Sequence, residues 1–174
     1  MESASPVITE PVLLALGSNF GDRLGYLKSA MGAIIERNYL VKVSCSPIYE
    51  SAPVGYHNQP DFLNCCITGK TSLQPDQLYC KLKELELELG RQHRPRWHER
   101  EIDIDIILYG SRILQSVHLE IPHPRALERA FVLIPAQVIA SDWIVPTSGR
   151  TIAEHAAQLP DNHTLRMYAD PPLF

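Results

Sequence analysis

Apolar residues change their period several times along the chain, and each change marks an element. Val12 to Leu16 is a short unbroken apolar run ending in Gly17-Ser18-Asn19, which reads as a buried strand entering a turn. After Gly21-Asp22, residues Leu24, Leu27, Met31, Ile34 and Ile35 recur at helical spacing, and Asp22 stands where an acid favours the positive helix end. Leu40 to Tyr49 reads as a second strand, ending at Pro47 or within Glu50-Ser51-Ala52-Pro53, and Asp61 to Ile67 as a third strand paired with it. Residues 51–60 between them carry Pro53, Gly55 and Pro60, which suits an ordered loop whose backbone groups can face a ligand. Pro75 and Asp76 open a second helix and Gly90 stops it. Glu84 to Leu89 alternates as a strand would, yet Leu78, Leu82, Leu85 and Leu89 hold helical spacing in a segment rich in good helix formers, so helix is expected.

In Ile102 to Leu108, isoleucines at 102, 104 and 106 alternate with Asp103 and Asp105, which predicts a strand with both carboxylates on one face. Beyond it, Ile113-Leu114 and Val117 to Ile121 read as short extended pieces. Pro122 and Pro124 frame a turn before a helix over Ala126 to Ile134. A short helix near Ile152 to Ala157 and an edge strand over Leu165 to Tyr168 complete the pattern. The order β, α, β, β, α, β matches the ferredoxin-like unit, an α+β fold. The expectation is an antiparallel sheet with helices on one face and extra C-terminal helices, in a single domain over residues 12–174 behind an extension of residues 1–11.

A chain of 174 residues can bury a real core. The formal net charge of −4 argues against a general nucleic-acid binder, so the arginines at 91, 94, 96 and 100 form a local feature aimed at one anionic ligand. The N-terminal stretch lacks the basic start and apolar run of a signal peptide, and no segment approaches the length of a membrane span, so the cytoplasm and no membrane partner are expected. Cys45, Cys65, Cys66 and Cys80 lack ligand spacing and read as buried reduced thiols. The seven histidines show no zinc pattern. Gly69-Lys70-Thr71 imitates the end of a phosphate-binding loop, but Asn64 stands where its first glycine belongs, and Lys70 reads as an exposed strand end.

The chemistry therefore concentrates in residues 90–110. Two strand residues span about 6.6 Å, so Asp103 and Asp105 lie close enough to repel or to share cations. Magnesium takes one or two protein carboxylates and completes its octahedron with water and phosphate oxygens, and arginine forks suit the remaining phosphate oxygens. This reads as a polyphosphate site. The alternative on pattern alone is a solvated strand face neutralised by the neighbouring arginines. Two further alternatives are a metal-dependent nucleotide hydrolase and a catalytically silent interaction domain.

Arg96-Trp97, Arg100 and Asp103-Ile-Asp-Ile, together with the Gly17-Ser-Asn-x-Gly-Asp-Arg run, resemble the hydroxymethyl-dihydropterin pyrophosphokinases of folate biosynthesis over Val12 to Ala140. The resemblance implies transfer of diphosphate from ATP to the hydroxymethyl group of a reduced pterin, leaving AMP, with two magnesium ions expected; a monomer is the working expectation, which the sequence does not decide. By resemblance, Asp103 and Asp105 bind metal, with Asp103 nearest the substrate hydroxyl. Arg94 and Arg100 match arginines that hold the phosphates and act in catalysis, Trp97 matches a tryptophan on the same moving loop, and Ile106 matches a residue at the adenine pocket. His123 and Arg129 match nucleotide-phosphate contacts. On the pterin side, Phe62 and Phe131 match the two aromatics that sandwich the ring, Asn64 matches the residue that reads its edge, and Ser51, Pro53 and Val54 lie where backbone groups are presented. Two departures are visible: the arginine loop is one residue shorter than in some members, leaving open whether Arg91, Arg94 or Arg96 meets the phosphates, and position 62 is phenylalanine where some have tyrosine.

Overall fold

Strand β1 (Glu10–Ser18) is the axis of the fold, pairing antiparallel with β4 (Phe62–Thr71) on one side and β5 (Asp103–Tyr109) on the other. The computed structural model describes residues 9–55, 58–94, 98–160 and 164–173. The extension expected over residues 1–11 is shorter, because Glu10 and Pro11 already pair with Thr71 and Lys70.

The second strand is broken in two. Strands β2 (Val41–Cys45) and β3 (Ile48–Ser51) lie end to end along the far edge of β4. Pro47 has no N–H to offer, and Ser46 fills the gap: its N–H donates to Cys66 O at 2.9 Å and its Oγ accepts from Cys66 N at 2.9 Å. Strand β10 (Arg166–Ala169) adds to the outer edge of β3, where Arg166 Nε donates to Glu50 at 2.9 Å. With helix α1 (Arg23–Glu36) after β1 and helix α2 (Pro75–Glu88) after β4, the spatial order β5, β1, β4, β2/β3 is the ferredoxin-like arrangement. Asp22 caps α1, its Oδ1 accepting from Gly25 N at 2.9 Å.

Both faces of the sheet are covered, rather than one. Leu14, Leu16, Ile104 and Ile106 pack against Leu27, Met31, Leu82 and Leu85 of α1 and α2. On the other face Leu13, Cys66 and Leu108 meet Val132, Leu133 and Ala136 of helix α3 (Ala130–Ala140), joined by helix α4 (Ile152–Ala156). Each of these leucine, isoleucine, valine and methionine side chains contributes about 1.5–3 kcal/mol by leaving water. The helix expected over Ala126 to Ile134 divides into a 3-10 turn at Ala126–Glu128 and α3, because Arg129 takes an extended backbone. Short hairpins β6 (Leu114–Gln115) with β7 (Glu120–Ile121), and β8 (Ile144–Val145) with β9 (Arg150–Thr151), complete the described residues. All four cysteines are free thiols; Cys65 and Cys66 are buried and Cys45 half-buried, but Cys80 is exposed, contrary to expectation. Lys70 is exposed within β4, and Gly69 lies in mid-strand, away from any helix start.

Candidate active site

Two cavities of about 480 and 470 Å³ meet at Arg91, Asp105 and His123. The first lies over the strand ends on the α3 face of the sheet, and period-two alternation aims Gly17, Phe62, Asn64, Asp103 and Asp105 into it. The second lies along the outer edge of β5, between α2 and the β6–β7 hairpin, and is lined by Tyr79, Lys83, Ile106, His118 and Glu120.

At the β3–β4 end the polar groups are neutral and hold one another. Asn64 and Ser51 are both buried, and Asn64 Nδ2 donates to Ser51 Oγ at 2.9 Å. Gly17 allows this close fit, since a Cβ there would come within 3.1 Å of Asn64 Oδ1. Phe62 and Phe131 line the same cavity, with Arg129 stacked 5.5 Å from the Phe131 ring centre. Val54 and Ala52 form part of the wall; Pro53 is buried outside the lining. Asn19, fully buried, ties the neighbouring loops together. Its Nδ2 donates to Gln59 and to Pro60 O, each at 3.1 Å, and its Oδ1 accepts from Arg100 N at 2.8 Å.

At the β5 end the groups are charged. Asp103 and Asp105 leave the same face of β5 and both line the first cavity, as the alternation predicts. Arg91 Nη2 lies 2.8 Å from Asp103 and Lys83 Nζ 3.5 Å from Asp105. Both cations are anchored on Glu86, which is 1% exposed: Lys83 is 2.7 Å from its Oε1, and Arg91 pairs with its Oε2. Burial in the cleft pushes the Asp103 carboxyl up from its ordinary value; Arg91 opposes this and the like charge of Asp105 adds to it. Among the described residues no group of three or more histidine, cysteine or acidic side chains could ligate a metal. Two carboxylates alone, with phosphate oxygens and water completing the shell, suit magnesium and not a protein-enclosed zinc or calcium site.

The cationic residues divide sharply. Arg100, His98, Arg125 and Arg129 line the first cavity. Arg94 does not; its fork grips Glu101 at 2.8 and 2.6 Å and its guanidinium lies 4.8 Å from the Phe20 ring centre. That pairing holds Glu101 below, and Arg94 above, their ordinary pKa values. Trp97 and Arg96 fall outside the described residues. His123 sits where the cavities join, its backbone N–H donating to Ile107 O at 3.1 Å beside the β-bulge that sets Leu108 against Leu13 and Ile106 against Leu14. Its Nδ1 accepts from Arg125 N at 3.3 Å, and burial holds its pKa below the ordinary value, leaving a neutral ring with its proton on Nε2.

The structure thus brings Ser51, Val54, Phe62, Asn64, Phe131, Arg100, Asp103, Asp105, His123 and Arg129 to one cavity, and Ile106 to the adjoining one. Arg91, one of the loop arginines left open, lines both cavities, and the structure adds Lys83, Glu86, Asn19 and Gly17. Glu86 carried a signal: it lies four residues after Leu82 on the apolar stripe of α2, where a charge needs a reason.

The model of the family 7,8-dihydro-6-hydroxymethylpterin-pyrophosphokinase (HPPK) matches residues 13–141. The 2-amino-4-hydroxy-6-hydroxymethyldihydropteridine pyrophosphokinase of Aquifex aeolicus is 40% identical over 143 residues, 82% of this chain and 88% of that one. Its counterpart in Haemophilus influenzae is 38% identical, covering 88% of this chain and 96% of that one. The folic acid synthesis protein fol1 of Pneumocystis carinii is 38% identical over 93% of this chain, which spans only 22% of that protein's length. A crystal structure of an HPPK-DHPS in complex with substrates superimposes with a TM-score of 0.68 at 15% identity, over 86% of this chain and 43% of that one, and shows the shared fold. Fold, strand-borne acid pair and sequence likeness agree: this chain belongs to the 7,8-dihydro-6-hydroxymethylpterin-pyrophosphokinase family.

Proposed function

We propose that this pyrophosphokinase uses ATP and magnesium, moving the terminal two phosphates as a unit onto the hydroxymethyl group of 6-hydroxymethyl-7,8-dihydropterin and releasing AMP. The observation that carries this reading is the acid pair: Asp105 stands where a cavity suited to a flat heterocycle meets a second, more polar one, and Asp103 lines the first beside it. The pterin takes the first cavity between Phe62 and Phe131, with Asn64 and Ser51 reading its rim and the backbone at Pro53 and Val54 closing over it. The nucleoside takes the second, against Ile106. Asp103 and Asp105 would hold the divalent ions, which supply charge neutralisation to the phosphate chain.

The chain's own groups then position the reactants. Arg91, Arg100 and Arg129 donate to phosphate oxygens, and neutral His123 donates from Nε2. The hydroxymethyl oxygen attacks the β-phosphorus and releases its proton to water, the bond from that phosphorus to the bridging oxygen of the α-phosphate breaks, and AMP leaves with that oxygen. Positioning and charge do the work, so no covalent nucleophile is required. Arg94 joins the phosphates only by leaving Glu101. Among the described residues no helix is long and apolar enough to cross a membrane.

The test is product identity. Protein, ATP and magnesium should give AMP only when the pterin alcohol is present. ADP with free phosphate, with or without pterin, would identify a hydrolase and refute transfer.

A further inference from the structure

Strand β5 is an edge of the sheet, so the outward N–H and C=O of Ile104 have no strand to meet. Helix α2 supplies both partners from one turn. Glu86 Oε1 accepts from Ile104 N at 2.6 Å, and Lys83 Nζ donates to Ile104 O at 2.9 Å. These contacts would suffice for a structural cap. Lys83 does more, because its third contact, at a long 3.5 Å, is Asp105, and its tip lines the second cavity beside Arg91 and His123.

The arrangement is paired. Arg91 serves Asp103 as Lys83 serves Asp105, and both cations rest on the same buried Glu86. Within these direct pairs three carboxylates face two cations, which leaves carboxylate oxygens for a divalent ion, while Arg100 and Arg129 line the first cavity beside them. A divalent ion arriving at Asp105 competes with the ammonium for the same oxygens. Glu86 and Ile104 O keep Lys83 at the cavity junction when Asp105 is taken, where its freed N–H points to an anionic co-substrate.

Resting on the transfer reading above, we propose that Lys83 is a further residue of the reaction: a resident counter-ion of Asp105 that yields to the divalent cation and then donates to the nucleotide's phosphate chain. Glu86 is its positioning residue.

The two roles of Lys83 have opposite signs, which a purely structural cap does not share. In Lys83→Met, Mn²⁺ added alone should bind about two- to fivefold more tightly, since a competing surface charge is gone. In the same variant an α,β-methylene analogue of ATP with magnesium should bind about tenfold more weakly, the loss of one charge-assisted hydrogen bond. Lys83→Arg should return Mn²⁺ affinity toward the wild-type value, and in an Asp105→Asn background Lys83→Met should leave Mn²⁺ binding unchanged. Mn²⁺ binding that is unchanged or weaker in Lys83→Met overturns the proposal. Lys83→Gln, at a side chain 28% exposed, offers the same reading should the methionine variant fold poorly. Wild-type protein that hydrolyses ATP without transfer sinks the transfer reading, whereas the Mn²⁺ titrations judge Lys83 separately.

Discussion

At the β3–β4 end of the cleft, Asn64 and Ser51 satisfy each other while buried at 5% and 9% exposure, on strands fixed by full ladders. At the β5 end, Asp103 and Asp105 keep 32% and 40% of their side chains open, and their partners are ions reaching in from α2 and from the segment after it. The first end is finished before any ligand arrives, as suits a rigid neutral heterocycle. The second is provisionally neutralised, as suits a ligand that brings both charge and metal. The same contrast repeats within three residues of β5: Glu101 is paired so well with Arg94 that its pKa falls, while burial at Asp103 outweighs Arg91 and its pKa rises. An acid held below its ordinary value stabilises the fold when ionised; one held above it costs the fold stability when ionised.

The largest test of this contrast removes the charged end. Asp103→Ala or Asp105→Ala should lower kcat about a hundred- to a thousandfold while the pterin alcohol still binds, measurable by steady-state kinetics with a pterin-binding titration. At the neutral end, Asn64→Ala should raise the KM for pterin with little change in the KM for ATP, by about 1–3 kcal/mol of lost recognition. Equal effects on both substrates in either variant would erase the distinction between the ends.

Smaller effects separate the two acids. Arg94→Ala strands the buried Glu101 and should lower the midpoint of urea unfolding. Because the folded-state pKa of Glu101 is lowered, its stabilisation is present above the ordinary carboxylate value and lost as pH falls through the folded one, so Arg94→Ala should blunt the acid limb of the stability profile. Asp103 has the reverse sign. Its raised pKa means that the empty protein is penalised as pH climbs from the ordinary aspartate value through the folded one, and the penalty persists above it. Asp103→Asn should therefore raise the thermal midpoint of the ligand-free protein near neutral pH by about 2 °C, while abolishing turnover. A lower midpoint would mean that Asp103 is held for structure.

Much of this plan was legible from spacing. Alternation of Ile102, Ile104 and Ile106 with Asp103 and Asp105 was enough to aim both acids into one cavity, since a pleated strand has only two faces. Helical spacing of Leu78, Leu82, Leu85 and Leu89 overcame the misleading alternation nearby. What stayed hidden depended on partners distant in sequence. No spacing says that Ser46 completes a ladder beside Pro47, or that α3 closes over the second face. Nor does it say which way a loop arginine turns: Arg91 faces the acids because Glu86 holds it from α2, and Arg94 turns away because Glu101 is buried behind it. The resemblance left Arg91, Arg94 and Arg96 open for the phosphates, and of Arg91 and Arg94 it is Arg91 that lines the cavity.

The central claim is that the β5 acid pair carries the divalent ion on which the nucleotide is bound. Mn²⁺ titrated by electron paramagnetic resonance into wild type, Asp103→Asn and Asp105→Asn, each with the α,β-methylene ATP analogue, tests it directly. The account predicts a bound Mn²⁺ signal that sharpens with nucleotide in the wild type and weakens at least about tenfold in affinity in either variant. Equal Mn²⁺ binding in all three proteins would contradict it.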